Sequence, residues 1–134
     1  MTIAELGDLL ELPLLGTLAT YDRQGAVLLS PVWFEWWKGG FHVAIPTDDV
    51  KARQLRRDPR SSLVVAEAEP PMRGVEVRGT ARLSPTRDDV NRRIATRYLP
   101  PEAVDPFLVT VREGTLVRLE PGRLRAWDFA DANF

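Results

Sequence analysis

The sequence predicts a mainly β (α+β) domain, in which at least six antiparallel strands and a few short helices form a small closed or nearly closed barrel. Short segments that alternate apolar and polar residues recur along the chain, separated by turns rich in Gly, Pro and Asp. Helical spacing is confined to a few short stretches. The length of 134 residues is that of one domain, and 44% hydrophobic residues are enough for a single core.

The composition argues against several classes of function. The chain has no cysteine and a single histidine, His42, so disulfides and thiolate chemistry are excluded and a metal site is not expected. The formal net charge is -1, whereas nucleic-acid-binding domains usually carry a basic excess. No segment approaches the roughly 18 apolar residues of a membrane-spanning helix, and the N-terminus lacks the pattern of an export signal. We therefore expect a cytoplasmic protein with neither nucleic acid nor a membrane as partner.

The chain begins with a predicted helix over residues 3–12. Thr2 and Glu5 have the spacing of a capping box. Apolar residues follow at intervals of three and four, and Pro13 ends the helix. We interpret this helix as structural.

Three antiparallel strands are predicted next. Residues 15–21 and 26–37 form a hairpin around a turn at 22–25, and a Lys-Gly-Gly turn leads to a strand over 41–45. Pro31 lies within the longest of these strands and cannot donate a hydrogen bond to a sheet. At Pro31 the strand must therefore lie at an edge, contain a bulge or border a ligand.

The remaining elements alternate between helix and strand. They are a helix over 49–57, strands over 61–67 and 75–83, a helix from Ser84 to about Leu99, a short element to Phe107, and closing strands over 116–119 and 124–129. We expect Thr47 or Asp48 to cap the first of these helices, and Val50 and Leu55 to face inward. This helix ends before Pro59.

Two clusters are candidates for ligand binding. A basic cluster occupies the helix over 49–57 and the residue positions just after it: Lys51, Arg53, Arg56, Arg57 and Arg60. Basic side chains at a helix N-terminus bind phosphate, although a solvated helix face has the same pattern. The second cluster is aromatic: Trp33, Trp36 and Trp37 crowd one strand, with Trp127 near the end of the chain. Such aromatic side chains serve a core, a subunit interface or a stacked flat ligand.

Other polar residues have less specific interpretations. The acidic pairs at 48–49 and 88–89 lie at predicted helix N-termini, where negative side chains complement the helix dipole. His42 is expected to have a surface or structural role. A substrate proton could come from Tyr21, Tyr98, His42 or solvent, and the sequence does not choose among them.

Five segments occur in an order and spacing typical of one family. They are 15–20 with the turn at 22–25, 31–36, 51–60, 73–81 and 125–129. Together they resemble the pyridoxamine 5'-phosphate oxidase-like superfamily of split β-barrel flavin-binding proteins, and within it the branch of deazaflavin (coenzyme F420)-dependent reductases.

The resemblance implies an FMN-binding type of split β-barrel that forms a homodimer, with cofactor sites along the dimer interface. It implies that Lys51 holds phosphate and that the flat ring lies beside residues 30–33. The cofactor-binding residues it implies are Ser30, Pro31, Val32, Trp33, Pro46, Thr47, Val50, Lys51, Arg53, Arg57 and Trp127. Flavin oxidases usually have Ser or Thr and then Arg before the lysine, whereas this chain has Asp49 and Val50. An anion here weakens binding of the FMN phosphate in the oxidase manner, and residues 31–36 and 51–60 are most similar to the F420 branch, so the resemblance favours F420 over FMN.

The resemblance therefore implies an oxidoreductase that transfers a hydride between F420 or FMN and a small conjugated or heterocyclic acceptor. The cofactor would supply the redox chemistry, and no catalytic side chain is identified. One alternative is a non-catalytic protein that binds a flavin, a deazaflavin or a tetrapyrrole. Another is a barrel that binds single-stranded nucleic acid through its tryptophans and arginines, which the net charge of -1 disfavours.

Overall fold

A computed structural model describes residues 1–111 and 113–130, and these form eight strands, three α-helices and two 3₁₀ turns. The strands are β1 (Gly16–Tyr21), β2 (Val27–Val32), β3 (Glu35–Trp37), β4 (Gly40–Pro46), β5 (Arg60–Ala66), β6 (Gly74–Pro85), β7 (Gly114–Leu119) and β8 (Arg123–Trp127). The helices are α1 (Val50–Arg57), α2 (Asp88–Tyr98) and α3 (Pro101–Thr110). Among the described residues, no helix has the length and apolar character needed to cross a lipid bilayer.

The long strand β6 joins the two parts of an antiparallel sheet. Its residues 74–80 pair with β5, and its residues 81–85 pair with β7. The strand order is β2-β1-β5-β6-β7-β4-β3, and β8 also pairs with β6. Because one strand serves both parts, the sheet curls into a half-barrel. The predicted mainly β, split-barrel class is confirmed.

The hydrophobic core fills the concave side of the curled sheet. Leu18, Leu63 and Val77 are buried on neighbouring strands at paired positions, so alternate side chains of each strand point inward. Phe34 and Phe41 are also fully buried, with ring centroids 5.5 Å apart in an edge-to-face arrangement.

The N-terminal segment is not the continuous helix predicted over residues 3–12. It forms two 3₁₀ turns, Ala4–Leu6 and Leu9–Glu11. Gly7 separates them with a φ of 63°, which a right-handed helix cannot contain. The predicted capping contact forms in part, since the Glu5 carboxylate accepts a hydrogen bond of 3.1 Å from the Thr2 backbone N–H.

The long strand predicted over 26–37 is two strands with different partners. β2 pairs with β1, whereas β3 pairs with β4. Tyr98 holds the break between them, because its hydroxyl accepts from the Phe34 N–H (3.1 Å) and donates to the Leu14 carbonyl (2.8 Å). β2 is an edge strand, which accommodates Pro31 as expected.

The helices predicted over 49–57 and from Ser84 both begin later than predicted. Asp49, and neither Thr47 nor Asp48, caps α1 by accepting from the Lys51 backbone N–H. Val50 is therefore in the first turn, where its side chain is 43% exposed and does not face inward. The second of these helices, α2, starts at Asp88 and not at Ser84, because β6 continues through Pro85.

Candidate functional site

A cavity of about 410 Å³ lies where the end of β4 meets α2 and α3. Apolar side chains form much of its wall, with Trp33 and Ala44 on the sheet side and Ile94 and Phe107 on the helix side. A mostly apolar cavity of this size with a few polar groups is the usual form of a small-molecule site. It is the candidate functional site of the chain.

Trp33 forms a rigid aromatic wall of this cavity. Its ring stacks on Tyr98, with centroids 4.9 Å apart and planes 8° from parallel, and Phe107 lies 5.4 Å away at a tilt. The two backbone hydrogen bonds of the Tyr98 hydroxyl fix the ring beneath Trp33. Trp33 thus presents a preorganised surface to a flat ligand.

The turn before α1 lies beside the cavity, with Pro46 and Asp48 in the cavity wall. The Thr47 hydroxyl lies 3.1 Å from that of Thr115. The Lys51 ammonium lies 3.0 Å from Asp49 Oδ1, so its nearest partner is an anion within the same turn.

Asp49 is ionised at neutral pH. Burial raises the pKa of Asp49, but hydrogen bonds from the Lys51 backbone N–H and ammonium, together with the charge of Arg53, outweigh burial and hold the pKa below its ordinary value. The carboxylate therefore neutralises much of the positive charge that Lys51 would offer to a phosphate.

The arginines of α1 are bound to backbone carbonyls. Arg53 donates to the Asp48 carbonyl (2.7 Å), Arg56 to the Thr47 carbonyl (3.0 Å) and Arg57 to the Tyr21 carbonyl (2.6 Å). These contacts use few of the five N–H donors of each guanidinium. The backbone carbonyls hold the three guanidiniums in place, and their positive charge remains near the turn.

The predicted cofactor-binding residues do not all meet within one chain. Trp33 and Pro46 line the cavity, and Thr47 and Lys51 lie in the adjoining turn. Ser30 and Pro31 are on edge strand β2, Val32 is part of the buried core, and Val50 is exposed.

Trp127 is also away from the cavity. It pairs with Gly74 at the end of β8, where its ring fills the space that a side chain at Gly74 would need. The Arg125 guanidinium lies 5.0 Å from the centroid of this ring. Trp127 therefore belongs to the pairing of β6 with β8 and does not line the cavity.

The residues on the helix side of the cavity were not predicted from the sequence. Asn91, Ile94 and Ala95 of α2, together with Phe107 of α3, line it. The helical spacing of these α2 residues was a usable signal, since a polar residue at 91 lies next to an apolar stripe at 90, 94 and 95. The contact between Phe107 and Trp33 depends on how α3 packs, and no local sequence pattern predicts it.

His42 has the expected structural role. It is buried, its Nδ1 lies 2.8 Å from Glu35 Oε2, and its Nε2 lies 3.0 Å from Arg118 Nη1. Arg93 joins the same cluster through two hydrogen bonds to Glu35 and lies 4.0 Å above the Trp37 ring. Neither His42 nor Tyr98 has a ring nitrogen or hydroxyl free to donate a proton into the cavity.

Comparisons with known proteins agree on the fold. The family model described as pyridoxamine 5'-phosphate oxidase matches residues 3–128. A conserved hypothetical protein from Mycobacterium tuberculosis, Rv2991, is 27% identical with a TM-score of 0.77, over 96% of this chain and 86% of that one. An F420 reductase is 24% identical with a TM-score of 0.67, over 88% of this chain and 94% of that one.

A third similar structure has a different described role. It is HutZ, a haem storage protein from Vibrio cholerae, which is 24% identical with a TM-score of 0.72 over 92% of each chain. At this identity, the F420 reductase and HutZ support the fold alone. No protein of curated function matches the chain significantly.

Proposed function

Since the chain belongs to the pyridoxamine 5'-phosphate oxidase family, whose model covers residues 3–128, we propose that it is a cytoplasmic, homodimeric oxidoreductase that binds coenzyme F420 or FMN. Its substrate would be a small conjugated or heterocyclic acceptor of a hydride. The observation that carries the proposal is the apolar cavity beside Trp33, which adjoins a turn with a lysine and three arginines nearby.

The residues of the site fit the ring of either cofactor and fit the tail of F420 better. The cavity of about 410 Å³, with its stacked Trp33–Tyr98 wall, suits a flat tricyclic ring. The terminal phosphate of FMN is a dianion and would lie beside Asp49. The Asp49 carboxylate already forms an ion pair with the Lys51 ammonium and would repel the phosphate. The phosphodiester of F420 carries one negative charge at phosphorus, so it meets less repulsion from Asp49. The carboxylates of the longer F420 tail would lie along the arginines of α1. We therefore propose F420 as the preferred cofactor.

Each part of the site has a distinct role in this proposal. Trp33 and Phe107 would bind and orient the ring, and Lys51, with Arg53, would bind the phosphodiester. Ala44, Ile94 and Ala95 would exclude water from the ring. When bound, the cofactor would supply the hydride chemistry, while the protein supplies position and a dry environment.

A tetrapyrrole is the alternative ligand, because HutZ and a haem-binding protein from Mycobacterium smegmatis share the fold. The chain has one histidine, and both nitrogens of His42 are within 3.0 Å of other side chains. An imidazole ligand to haem iron would require that buried cluster to open. This observation favours a flavin-type cofactor over haem.

Side-by-side fluorescence titrations of the purified protein with F420, FMN and haem test the proposal. We expect F420 to bind more tightly than FMN, and Lys51→Ala to weaken F420 binding about tenfold, the usual effect of losing one charge-assisted hydrogen bond. Lys38→Ala, which removes the other lysine of the chain, is the matched control and should leave binding unchanged.

The remaining outcomes also decide between functions. Tight haem binding with no affinity for F420 or FMN would overturn the oxidoreductase proposal. Binding of F420 without re-oxidation of its reduced form by any conjugated acceptor would leave a non-catalytic deazaflavin-binding protein.

A further inference from the structure

A second, larger cavity adjoins the candidate site. It has a volume of about 710 Å³ and lies between α2, α3 and the start of β7. Thr86, Asn91 and Glu113 line both cavities. We refer to the 410 Å³ cavity as the inner chamber and to the 710 Å³ cavity as the outer chamber, and together they form one cleft.

The two chambers differ in chemistry. The inner chamber has the aromatic and aliphatic wall already described, which suits the flat part of a ligand. Asn91 stands between the chambers, and its side-chain amide has no hydrogen-bond partner among the described residues. An amide presents one acceptor and two donors. Asn91 can therefore recognise a ligand edge that carries both a donor and an acceptor.

Acidic side chains dominate the charge of the cleft. Asp48 and Glu113 line the inner chamber, and Asp88 and Asp105 line the outer chamber. Arg92 lines the outer chamber as well, but it forms an ion pair of 2.8 Å with Asp105. Within the described part of the chain, the other three acids have no ion-pair partner. Among the described lining residues of the cleft, four carboxylates therefore face one guanidinium, so an anionic ligand meets mostly like charge.

We propose that the acceptor enters through this cleft and lies where the two chambers meet, beside the cofactor ring in the inner chamber, and that the cleft selects flat heteroaromatic molecules that are neutral or cationic. A donor and an acceptor on one edge of the molecule would pair with Asn91, and the acidic residues would repel aromatic carboxylates. The assignment of this site to a hydride acceptor depends on the proposed oxidoreductase function, whereas the expected selectivity depends only on the residues that line the cleft.

Isothermal titration of the full chain, saturated with F420 if the chain binds it, with three bicyclic probes of similar size tests the selectivity. The probes are 2-quinolone, which is neutral and has a donor–acceptor edge, 1-methylquinolinium, a cation, and 2-naphthoate, an anion. We expect the first two to bind at least about tenfold more tightly than 2-naphthoate, with a smaller difference at high salt. Equal affinity for all three probes, or no binding of any, would overturn the proposal.

Two sets of variants separate the charge effect from the amide effect. Asp48→Asn with Glu113→Gln should bring 2-naphthoate to within about threefold of the other probes. Glu11→Gln with Glu69→Gln removes the same charge elsewhere and should keep the discrimination. Asn91→Leu should weaken 2-quinolone about tenfold and leave 1-methylquinolinium unchanged, and that retained binding reports an intact fold. If Asn91→Leu weakens both probes equally, the recognition role of Asn91 is wrong.

The proposed function and this inference can fail independently. If neither F420 nor FMN binds but the probes are discriminated, the cleft is a selective site of a protein that is not an oxidoreductase. If F420 binds and 2-naphthoate binds as tightly as 2-quinolone, the selectivity is wrong while the function stands.

Discussion

Tyr98 connects the stability of the fold to the shape of the site. Its ring supports Trp33, and its hydroxyl satisfies the Phe34 N–H and the Leu14 carbonyl where the chain passes from β2 to β3. Phe34 itself is fully buried. A backbone group left unsatisfied in such surroundings is costly, so a single hydroxyl determines where the long apolar segment divides into two strands.

Removal of that hydroxyl should cost stability. We expect Tyr98→Phe to lower the free energy of unfolding by about 1–3 kcal/mol, because the Phe34 N–H and the Leu14 carbonyl lose a shared partner. Urea unfolding of the variant gives the value. Tyr21→Phe is the matched control, since the Tyr21 hydroxyl has no such partner among the described residues. Equal effects of the two substitutions would show that the Tyr98 hydroxyl has no special role.

The partners of His42 determine which of its nitrogens carries the proton. A guanidinium can only donate, so Nε2 must accept from Arg118 and Nδ1–H must donate to Glu35. Two-dimensional ¹H–¹⁵N NMR of the imidazole at neutral pH should therefore show a protonated Nδ1 and an unprotonated Nε2. The opposite tautomer would mean that Arg118 does not bind the ring.

At the scale of elements, the start of α1 combines helix capping with ligand binding. Asp49 caps the helix and also pairs with Lys51. Serine is as good a cap as aspartate but carries no charge. Replacement of Asp49 by serine therefore separates the two roles of this residue.

Asp49→Ser should improve FMN binding by about fivefold or more. This is the effect of removing one unit charge about 4 Å from an anion in a water-like dielectric. Fluorescence titration measures the change, and circular dichroism confirms that the helix is retained. Asp89→Ser makes the same substitution at the start of α2 and should not change FMN affinity. Unchanged affinity in Asp49→Ser would remove this turn from the phosphate site.

Element types were more predictable than element boundaries. The alternation along residues 75–83 predicted a half-buried strand, and β6 is that strand. Its continuation through Pro85 depends on pairing with β7, which is distant in sequence. Likewise, the apolar spacing of residues 3–12 fitted a helix, but the positive φ of Gly7 divides it. Only part of the predicted site lies together within one chain, since Pro31 and Trp127 are on strands that do not line the cavity. Asn91 and Phe107 were missed because they reach the cavity only through the packing of α2 and α3.

At the scale of the whole molecule, buried ion pairs make stability depend on pH. Glu35 is buried beside Arg93 and His42. Burial raises its pKa, but hydrogen bonds from Arg93 and His42 outweigh burial and hold the pKa below the ordinary 4.5. The unfolded chain therefore binds a proton at higher pH than the folded chain. The stabilisation is complete above the ordinary pKa and is lost as pH falls through the lower pKa of the folded state.

We expect the free energy of unfolding to fall progressively as the pH decreases below the ordinary carboxyl pKa of 4.5. Glu35→Gln should lower stability by about 1–3 kcal/mol at neutral pH, since Arg93 keeps only its longer contact with Asp89, and should flatten the pH dependence. Urea unfolding across this pH range measures both effects. Glu102→Gln, at an exposed position in α3, should leave the pH dependence as in the parent chain. An equally steep loss in Glu35→Gln would place the acid sensitivity elsewhere.

The proposed homodimer would bury an apolar surface that is exposed on the single half-barrel. Leu29 lies on edge strand β2, opposite Ala19 of β1, and its side chain is 61% exposed. Leu15 and Val27, on the same outward face by strand alternation, are 54% and 52% exposed. Such a patch on a sheet face is typical of a protein interface. A second copy of the chain on this face would cover the patch and would also supply the site with residues that do not line the cavity within one chain, such as Trp127.

Leu29→Lys should convert the dimer to a monomer, because a charge at the centre of the patch loses its hydration when the interface forms. Sedimentation velocity measures the oligomeric state, and an F420 titration of the same sample shows whether the site depends on the second subunit. Glu102→Lys is the control, since Glu102 is exposed on α3 and lines neither chamber. If Leu29→Lys remains dimeric, the interface lies on another face. If it becomes monomeric and still binds F420 fully, the residues of one chain are sufficient for the cofactor site.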